Sequence, residues 1–509
     1  MKNKLLLFEA IFIMLSVMAF SKSQSIYFTQ SPLDKDKEND IALFQIDKRA
    51  KIHTLSIEFL EEEVASIIDH ITIYKIQKNK TKKLLSVVDI KEVSKNIIEL
   101  HLKTSDVVQA NQLLITATPL TNPLYEQPLQ FKLCYNQLEG LSPIYRVGYA
   151  LRSSGDDNAK CYRIPALAVT KNKTLIAVYD VRYDGEVDLP NNIDIGMSRS
   201  TDGGQHWEPM KIILDMGNDP IYHGDGVGDP SILVDENSGR IWVAAVWSHG
   251  DRAWYGSGQG VTPQETGQFL LIYSDDDGKS WSGPINITEM VKEPSHHFFF
   301  QAPGCGITMQ DGTLVFPAQY RDETPQRVPY STIIYSKDGG KSWKRGNGVR
   351  AHTTENQVVE LSAGTLMINC RDDLNKMDKK RKESGGRAVY ISKDLGETWE
   401  KHPSSDWTLP EPNCQASILK LDNTNLVFFN PNAHRSIGAD KKGGGRRNFT
   451  LQLSRDLGEN WSKKIQFDDG YGRGYSSMAL LDDILCIIYE GSKSDIFFQK
   501  ISLKEILKE

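Results

Sequence analysis

The sequence predicts an all-β protein built mainly from one repeated unit, and two observations lead to this. The pattern Ser-x-Asp-x-Gly-x-x-Trp occurs five times, with start-to-start spacings of 74, 62, 56 and 62 residues. Each copy follows a short run rich in Ile, Val, Leu, Tyr and Phe. A pattern that recurs at this period indicates one supersecondary unit copied around an axis or along a solenoid. The copies are Ser200-Asp202-Gly204-Trp207, Ser274-Asp276-Gly278-Trp281, Ser336-Asp338-Gly340-Trp343, Ser392-Asp394-Gly396-Trp399 and Ser454-Asp456-Gly458-Trp461.

Each copy, called a box below, is predicted to form the turn of a β-hairpin. Several of the runs 193–200, 269–274, 330–336, 387–392 and 449–454 alternate apolar and polar residues, as a half-buried strand does. The Asp side chain can bond to the backbone two residues on, Gly accepts positive φ, and the Trp can pack over the turn. A repeat of about 60 residues has room for about four strands, which is the size of a propeller blade. Residues 274–278 resemble the start of a calcium loop but lack its downstream Glu, so a turn is expected.

Length and composition indicate a globular protein of more than one domain. The chain has 509 residues, of which 39% are hydrophobic and 25% charged. The net charge of -6 gives no support for nucleic-acid binding. The six cysteines lie far apart without a CxxC pair, so they are expected to be small buried hydrophobic residues.

The N-terminus reads as a secretory signal peptide over residues 1–23. Lys2 and Lys4 precede a mostly apolar run, residues 5–20, that is short for a membrane span. A retained anchor is the alternative, and a lipoprotein is not expected because no cysteine lies near the cleavage region. We therefore expect an exported protein, periplasmic or secreted, with no further transmembrane segment.

Residues 26–140 contain no box and are predicted to form a separate small β-sandwich. Regularly spaced strand-like runs with polar turns between them favour this fold. A carbohydrate-binding or spacer role is possible from domain context alone. The repeat region then fills residues 145–509. The runs are 54–60, 67–76, 96–102, 113–117 and 129–134.

A motif before the first box, combined with the boxes, resembles the sialidase (neuraminidase) family of bacterial exo-enzymes of glycoside hydrolase family 33 type. The motif is Arg163-Ile164-Pro165, and the resemblance covers roughly residues 145–495. It implies a six-bladed β-propeller in which one blade lacks a box, with the run near residues 496–501 helping to close the ring.

The resemblance implies three arginines that bind the carboxylate of sialic acid. Arginine suits this because its planar, always-charged guanidinium bonds a carboxylate in bidentate geometry. Arg163 is the first, and Arg371, sixteen residues after Glu355, is the second. The third is expected in an Arg-x-Asn segment before a box, where Arg446 fits and its neighbour Arg447 stays open.

The resemblance also places the general acid/base at Asp188. The family pattern is an arginine followed six residues later by the catalytic aspartate, so Arg182 is expected to contact substrate. Asp188 would protonate the leaving-group oxygen and later deprotonate the attacking water. Asp184 and Glu186 are competing carboxylates that we interpret as loop charges.

The nucleophile implied by the resemblance is a tyrosine rather than a carboxylate. The anomeric carbon of sialic acid already bears a carboxylate, so an incoming carboxylate would meet like-charge repulsion. A phenol with a reference pKa of about 10 needs an adjacent base. Tyr475, before Ser476-Ser477-Met478, matches the tyrosine and Glu355 matches the base, while Tyr471 is the alternative tyrosine.

Two further carboxylates match family positions. Glu490 corresponds to a glutamate that holds the first arginine, since a buried arginine cluster needs a partner that fixes its orientation. Asp229, in Asp229-Pro230, corresponds to an aspartate that contacts the sugar, and Asp225 is a weaker candidate.

The loop 247–260 contains Trp247, Trp254 and Tyr255 and could form an apolar wall or simply pack. His296-His297 does not predict a metal site, because adjacent residues of a strand point to opposite faces and no third ligand is evident. We expect neither a metal nor a cofactor.

The sequence therefore predicts an exo-α-sialidase that hydrolyses terminal α-linked sialic acids with retention, through a tyrosyl-enzyme intermediate. The expected substrates are sialylated glycoproteins, glycolipids and oligosaccharides. A trans-sialidase or a relative that forms an anhydro product is the alternative. A sialic-acid-binding lectin would keep the arginines but is expected to lose Asp188, Tyr475 or Glu355, all of which are present.

Overall fold

The computed structural model describes residues 25–29, 31–45, 54–60, 64–77, 80–90, 97–101, 112–120, 128–135, 138–217, 225–435 and 445–508. The predicted signal peptide, residues 1–23, lies outside the described residues. The chain divides into two compact units, one within residues 25–29, 37–120 and 129–144, the other within residues 31–36, 121–128 and 145–508. The boundaries 26–140 and 145–509 stay a prediction. In the described ranges no helix is long and apolar enough to cross a membrane, and all six cysteines are free thiols.

The first unit is a β-sandwich, which confirms the predicted fold class for this part of the chain. One sheet has the order β1-β3-β8-β5-β6 and the other β11-β10-β4-β7. The two sheets pack through apolar side chains, with the rings of Phe28 and Phe131 edge to face at 5.9 Å. A 3-10 turn covers Val64–Ser66. The first eleven strands of the chain are β1 (Ser25–Phe28), β2 (Leu33–Asp34), β3 (Asn39–Gln45), β4 (Thr54–Phe59), β5 (Ile68–Ile76), β6 (Lys82–Asp89), β7 (Ile97–His101), β8 (Gln112–Pro119), β9 (Pro128–Leu129), β10 (Phe131–Tyr135) and β11 (Leu138–Leu141).

Besides β2, the described part of the second unit contains 26 further strands, in chain order. They are β12 (Tyr145–Arg152), β13 (Cys161–Val169), β14 (Leu175–Arg182), β15 (Ile193–Ser200), β16 (Lys211–Leu214), β17 (Gly226–Val234), β18 (Ile241–Ser248), β19 (Gln268–Ser274), β20 (Ile285–Asn286), β21 (Phe298–Gln301), β22 (Gly304–Cys305), β23 (Ile307–Thr308), β24 (Leu314–Arg321), β25 (Pro329–Ser336), β26 (Lys344–Arg345), β27 (Thr353–Ser362), β28 (Thr365–Asp372), β29 (Ala388–Ser392), β30 (Glu400–Lys401), β31 (Ser417–Lys420), β32 (Leu426–Pro431), β33 (Phe449–Ser454), β34 (Lys463–Asp468), β35 (Ser476–Leu481), β36 (Ile484–Tyr489) and β37 (Ile496–Ser502). The short helices are α1 (Thr288–Val291), α2 (Leu374–Met377), α3 (Lys379–Ser384) and α4 (Leu503–Leu507), with a 3-10 turn at Asp156–Asn158.

These strands form six sheets arranged as the blades of a propeller, which confirms the prediction of six blades. Blades 1 to 5 are built around β13–β16, β17–β20, β24–β26, β27–β30 and β31–β34. Blade 6 joins β35, β36 and β37 to β12, which precedes blade 1 in the chain. Blade 6 carries no box, and its innermost strand β35 contacts β13 of blade 1. The ring is therefore closed by pairing the two ends of the unit.

The five boxes are structural, as predicted, and each links its own turn to the preceding blade. In every box the Ser hydroxyl donates to the Asp carboxylate and accepts from the Gly N–H, for example Ser336 to Asp338 at 2.8 Å and Gly340 to Ser336 at 2.9 Å. A Cβ on the box glycine would meet a side chain of the preceding blade in each case, such as Trp242 for Gly340. Asp277 likewise accepts from Thr170, Thr174 and Arg199 of blade 1, which explains the acidic run that resembles a calcium loop.

Gly340→Ala is expected to lower the free energy of unfolding by about 2–4 kcal/mol. Gly340 has φ +88, and a Cβ would lie 2.3 Å from Cζ2 of Trp242, so both backbone strain and overpacking oppose alanine. Gly339→Ala is the matched control, because Gly339 has φ +68 but no atom within 4 Å of its Cβ. The control is expected to cost only about 1 kcal/mol. Equal thermal midpoints for the two variants would contradict this packing role.

The boxes lie at one end of the blades and the predicted site residues at the other. In blade 1, β14 ends at Arg182, which pairs with Ile193 at the start of β15, and β15 ends at Ser200 of the first box. In blade 4, β28 begins beside the box, where Leu366 pairs with Ser392, and reaches Arg371 near its opposite end. The site is therefore assembled from strand ends and loops opposite the boxes.

Candidate active site

The nine predicted site residues form one connected cluster. They come from blades 1, 2, 4, 5 and 6, and the contacts described below link each of them to at least one other, with Asp180 as the link to Asp229. Rigid strand ends position most of them, which favours a preorganised site.

Glu490 organises the segment around Arg163. Its carboxylate accepts from Arg163 Nε at 2.7 Å, from the Ile164 N–H at 2.8 Å and from the Tyr475 N–H at 3.1 Å. Ile164 has φ 57 within an irregularity of β13, so the strand is bent at the motif. Burial raises the pKa of Glu490, but the Arg163 guanidinium outweighs burial and the net shift is downward. Glu490 is thus an ionised anchor that fixes both Arg163 and the backbone of Tyr475.

Tyr475 lies at the centre of the cluster, 7% exposed. Its hydroxyl donates a short hydrogen bond to Glu355 Oε1, and the Tyr475 hydroxyl oxygen accepts from Arg371 Nη1 at 3.4 Å. The guanidinium carbons of Arg163 and Arg446 are 5.3 and 5.6 Å from its ring centroid. Burial and the charge of Glu355 raise the pKa of Tyr475 well above its usual value. The phenol is therefore protonated in the free protein, with a base already bonded to its proton.

The second and third arginines are held by a residue that the sequence reasoning missed. Arg371 Nη1 donates to Glu355 Oε2 at 2.7 Å and Nη2 to Asn413 Oδ1 at 3.2 Å. Arg446 donates to the carbonyls of Asn413 at 3.1 Å and Arg473 at 2.6 Å. Asn413, with φ 62, orients both guanidinium groups, and no sequence pattern marks it.

Arg447 and Tyr471, the alternatives to Arg446 and Tyr475, contact each other rather than the cluster. The guanidinium of Arg447 is 5.7 Å from the ring centroid of Tyr471, whereas Arg446 faces Tyr475. The geometry therefore favours Arg446 and Tyr475 over their sequence neighbours.

Arg182 connects Asp188 to a buried carboxylate. It donates through Nη2 to Asp180 Oδ2 at 2.7 Å and through Nη1 to Asp188 Oδ1 at 2.7 Å. Asp188 also lies 3.6 Å from Arg163 Nη1, yet 76% of its side chain is exposed. The surrounding protein raises the pKa of Asp188, but Arg182 and Arg163 together lower it below its usual value. Asp180, missed by the sequence reasoning, precedes Arg182 by two residues on the same face of β14, a spacing that could have indicated it.

The competing carboxylates of the 184–188 loop are directed elsewhere. Glu186 pairs with Arg473, whose hydrogen bond and charge lower the pKa of Glu186. Asp184 is exposed. Asp188 is therefore the loop carboxylate that faces the arginines.

Asp229 and Asp225 differ in their surroundings. Asp229 has φ 57, and its N–H donates to Asp180 Oδ1 at 2.8 Å. Burial, followed by the charges of Asp180 and Asp188, raises the pKa of Asp229 well above its usual value. Asp225 instead accepts from the Gly250 N–H at 2.6 Å and lies 3.1 Å from His249 Nδ1, so it holds the loop 247–260.

Two aromatic residues of the loop 247–260 pack against other side chains, and the third is exposed to solvent. Trp247 packs against the core, and Trp254 contacts Phe300 edge to face at 5.7 Å. Tyr255 is 81% exposed. The adjacent histidines diverge, as His296 stacks on Tyr320 at 4.4 Å and His297 Nδ1 lies 2.6 Å from the Asp322 carbonyl. Across the described ranges, no group of three or more His, Cys, Asp or Glu side chains could hold a metal ion.

Comparisons with known proteins agree with this fold. The family model described as a BNR repeat-like domain matches residues 173–487. A sialidase of Bacteroides fragilis is 47% identical over 380 residues, which cover 72% of this chain and 66% of that protein. A sialidase of Paraclostridium sordellii is 32% identical over 355 residues, 66% of this chain and 82% of that protein. The solved structure of the Hadza microbial sialidase Hz136 superposes with a TM-score of 0.82 and 34% identity, covering 94% of this chain and 99% of that one. The chain therefore belongs to the sialidase family of glycoside hydrolases.

Proposed function

We propose that this protein is an exo-α-sialidase that releases terminal sialic acid with retention of configuration through a tyrosyl-enzyme intermediate. The observation that carries the proposal is the Tyr475–Glu355 pair, whose phenol is bonded to a carboxylate base and flanked by three guanidinium groups. An arrangement with a nucleophile, a base and fixed cations suits attack at a carbon that bears a carboxylate. The expected substrates are sialylated glycoproteins, glycolipids and oligosaccharides.

In the proposed complex, Arg163, Arg371 and Arg446 bind the substrate carboxylate. Glu490, Glu355 and Asn413 already orient these side chains, so little ordering remains to be done when substrate binds. The negative charge of the bound substrate partly offsets the positive charge of Arg163, which lowers the pKa of Asp188 in the free protein. We therefore expect the pKa of Asp188 to rise on binding. This supports a protonated Asp188 in the complex although its pKa is lowered in the free protein.

In the first proposed step, the bond between the anomeric carbon and the glycosidic oxygen breaks. Tyr475 oxygen bonds to the anomeric carbon as its proton passes to Glu355, and Asp188 gives its proton to the departing oxygen. In the second step, water attacks the anomeric carbon and gives a proton to Asp188, the bond between that carbon and the Tyr475 oxygen breaks, and Tyr475 recovers its proton from Glu355. The sum is one glycoside and one water converted to sialic acid and an alcohol, with the enzyme restored.

The test is turnover of an α-linked sialoside by the full chain, with the product identified by mass and its first-formed anomer by NMR. Intact sialic acid released as the α-anomer is the expected result. The β-anomer would contradict the retaining mechanism, and an anhydro sugar or transfer to an added sugar would favour the alternatives. Binding without turnover would favour a lectin. Export, proposed from residues 1–23 alone, is tested by locating the protein in fractionated cells.

Arg446→Gln is expected to lower kcat/KM about 10²-fold, since a charged donor that faces Tyr475 is lost. Arg447→Gln is the matched control, because Arg447 faces Tyr471 instead, and we expect activity within about twofold of wild type. Steady-state kinetics on one sialoside checks both variants. The reverse ranking would assign the third arginine to Arg447.

A further inference from the structure

Arg321, at the end of β24, stacks on an aromatic ring but forms no ion pair with a described residue. Its guanidinium carbon lies 3.8 Å from the ring centroid of Trp254 and 5.6 Å from that of Tyr255. Within the described ranges it forms no ion pair, and its Nε is buried without a hydrogen-bond partner. A buried donor without a partner carries a desolvation cost, so a ligand that accepts from it would be favoured.

Arg240 provides a comparison, because it is also stacked on an aromatic ring but is bound to a carboxylate. Its guanidinium carbon lies 3.9 Å from the ring centroid of Tyr273, a geometry close to that of Arg321 over Trp254. Its Nε and Nη2, however, donate to Asp275 at 2.7 and 2.8 Å. Both arginines are held flat by an aromatic ring, but only the hydrogen-bonding edge of Arg240 is occupied by a carboxylate.

Arg321 lies on the active-site side of the propeller, and an apolar cluster connects it to the residue after Asp188. β24 begins at Leu314, opposite Ser336 of a box, and ends at Arg321, so Arg321 is at the end away from the boxes. Leu189, which follows Asp188 directly, packs with Phe298, Phe300 and Trp254 in one apolar cluster. Arg321 lies over the ring of Trp254, so this cluster links it to the residue that follows the predicted acid/base.

The surface around Arg321 carries an exposed aromatic ring and a second arginine. Tyr255 is 81% exposed, and Arg327 Nη1 donates to the carbonyls of Tyr255 at 2.8 Å and Ser257 at 3.1 Å, which holds the loop in place. Arg327 thereby adds a second cation. An exposed aromatic ring beside oriented cations is typical of a binding surface rather than of plain packing. We call Arg321, Trp254 and Tyr255 the Arg321 shelf.

We propose that the Arg321 shelf binds an anionic group, a carboxylate or a sulfate ester, carried by the aglycone of the sialoside. This rests on the proposed function, in which the carboxylate of the terminal residue is already bound by Arg163, Arg371 and Arg446. Asp188 faces the glycosidic oxygen in that function, and the proposal has the aglycone extend past Leu189 toward Trp254, two residues that pack against the same apolar cluster. A planar stacked guanidinium suits a bidentate contact with an oxyanion there.

The experiment compares kcat/KM for three substrates with the same terminal residue and linkage. One aglycone is neutral, one carries the carboxylate of a second, internal sialic acid, and one carries a sulfate ester. Arg321→Gln is expected to lower the ratio of anionic to neutral kcat/KM about tenfold, the effect of one lost charge-assisted contact. Raising the ionic strength is also expected to lower this ratio for wild type, because salt screens the charge interaction at the partly exposed shelf.

Arg240→Gln is the matched control, because it removes a stacked arginine at the box end, and its ratio is expected to equal that of wild type. Arg321→Lys keeps the charge without the planar fork and is expected to fall between wild type and Arg321→Gln. A lower ratio for only one anionic aglycone supports the proposal and identifies the group. An unchanged ratio, or an equal loss on all three substrates with an unchanged thermal midpoint, overturns it. Wild type that releases nothing from the neutral substrate would instead count against the proposed function itself.

Discussion

Tyr475→Phe is expected to lower kcat/KM at least about 10³-fold while the protein stays folded. The substitution removes only the hydroxyl that donates to Glu355 Oε1, and the ring can remain between Arg163 and Arg446. Without the oxygen no tyrosyl bond to the anomeric carbon can form, and Glu355 has no proton to accept. Steady-state kinetics on an α-sialoside, together with the thermal midpoint, measures both parts of the expectation.

Tyr471→Phe is the matched control for this substitution. Tyr471 lies beside Arg447, and it is the tyrosine that sequence alone left open. We expect its Phe variant to turn over within about twofold of wild type. Mass spectrometry during turnover of a slow sialoside should show a covalent adduct for wild type and none for Tyr475→Phe. Near-wild-type rates for a folded Tyr475→Phe protein would remove Tyr475 from the nucleophile role.

Asp188→Asn is expected to have the second-largest effect, a loss of about 10²–10⁴-fold on natural glycans. Asparagine can still bond to Arg182 but has no proton to give to a sugar leaving group. A sialoside with an activated aryl leaving group departs without much protonation, so its first step should be far less affected. Comparing kcat/KM for the two substrate types therefore separates acid catalysis from a loss of binding.

The pH dependence provides a second measurement on Asp188. Its pKa is lowered in the free protein, with Arg182 and Arg163 outweighing burial. Since only the protonated form can act as the acid, activity on natural glycans should fall as pH rises through the pKa of the complex. That alkaline limb should be missing from Asp188→Asn. Asp184→Asn, on the same loop but exposed, is the control and should keep both the rate and the limb.

Local chemistry made the blades predictable. The Ser, Asp and Gly of a box bond to one another within five residues, so the turn is encoded in a short stretch of sequence. The count of six followed from the resemblance, and the structure shows why the boxless blade exists. In the other blades the box joins the third strand to the fourth. In this blade the third strand, β37, pairs with β12 from the other end of the unit, so no hairpin connects them.

The candidate site was predictable only where a motif surrounds the residue. Arg163, Arg371, Tyr475 and Glu490 were found in this way, and the fold brings them into contact. Asn413 was not found, because it acts through contacts with Arg371 and Arg446 that lie 42 and 33 positions away along the chain. Asp180 was missed because no motif surrounds it, although its spacing of two residues from Arg182 places both on one face of β14.

The sequence by itself determined the repeated hairpins, the sialidase resemblance and the residue types that the chemistry needs. Only the tertiary structure decided which of Arg446 and Arg447 faces Tyr475, that Asp225 holds a loop, and that Arg321 Nε is buried without a hydrogen-bond partner among the described residues. The reason is physical. Turn formation depends on bonds between near neighbours in the chain, whereas orientation, protonation and pairing depend on charges and burial supplied by distant segments.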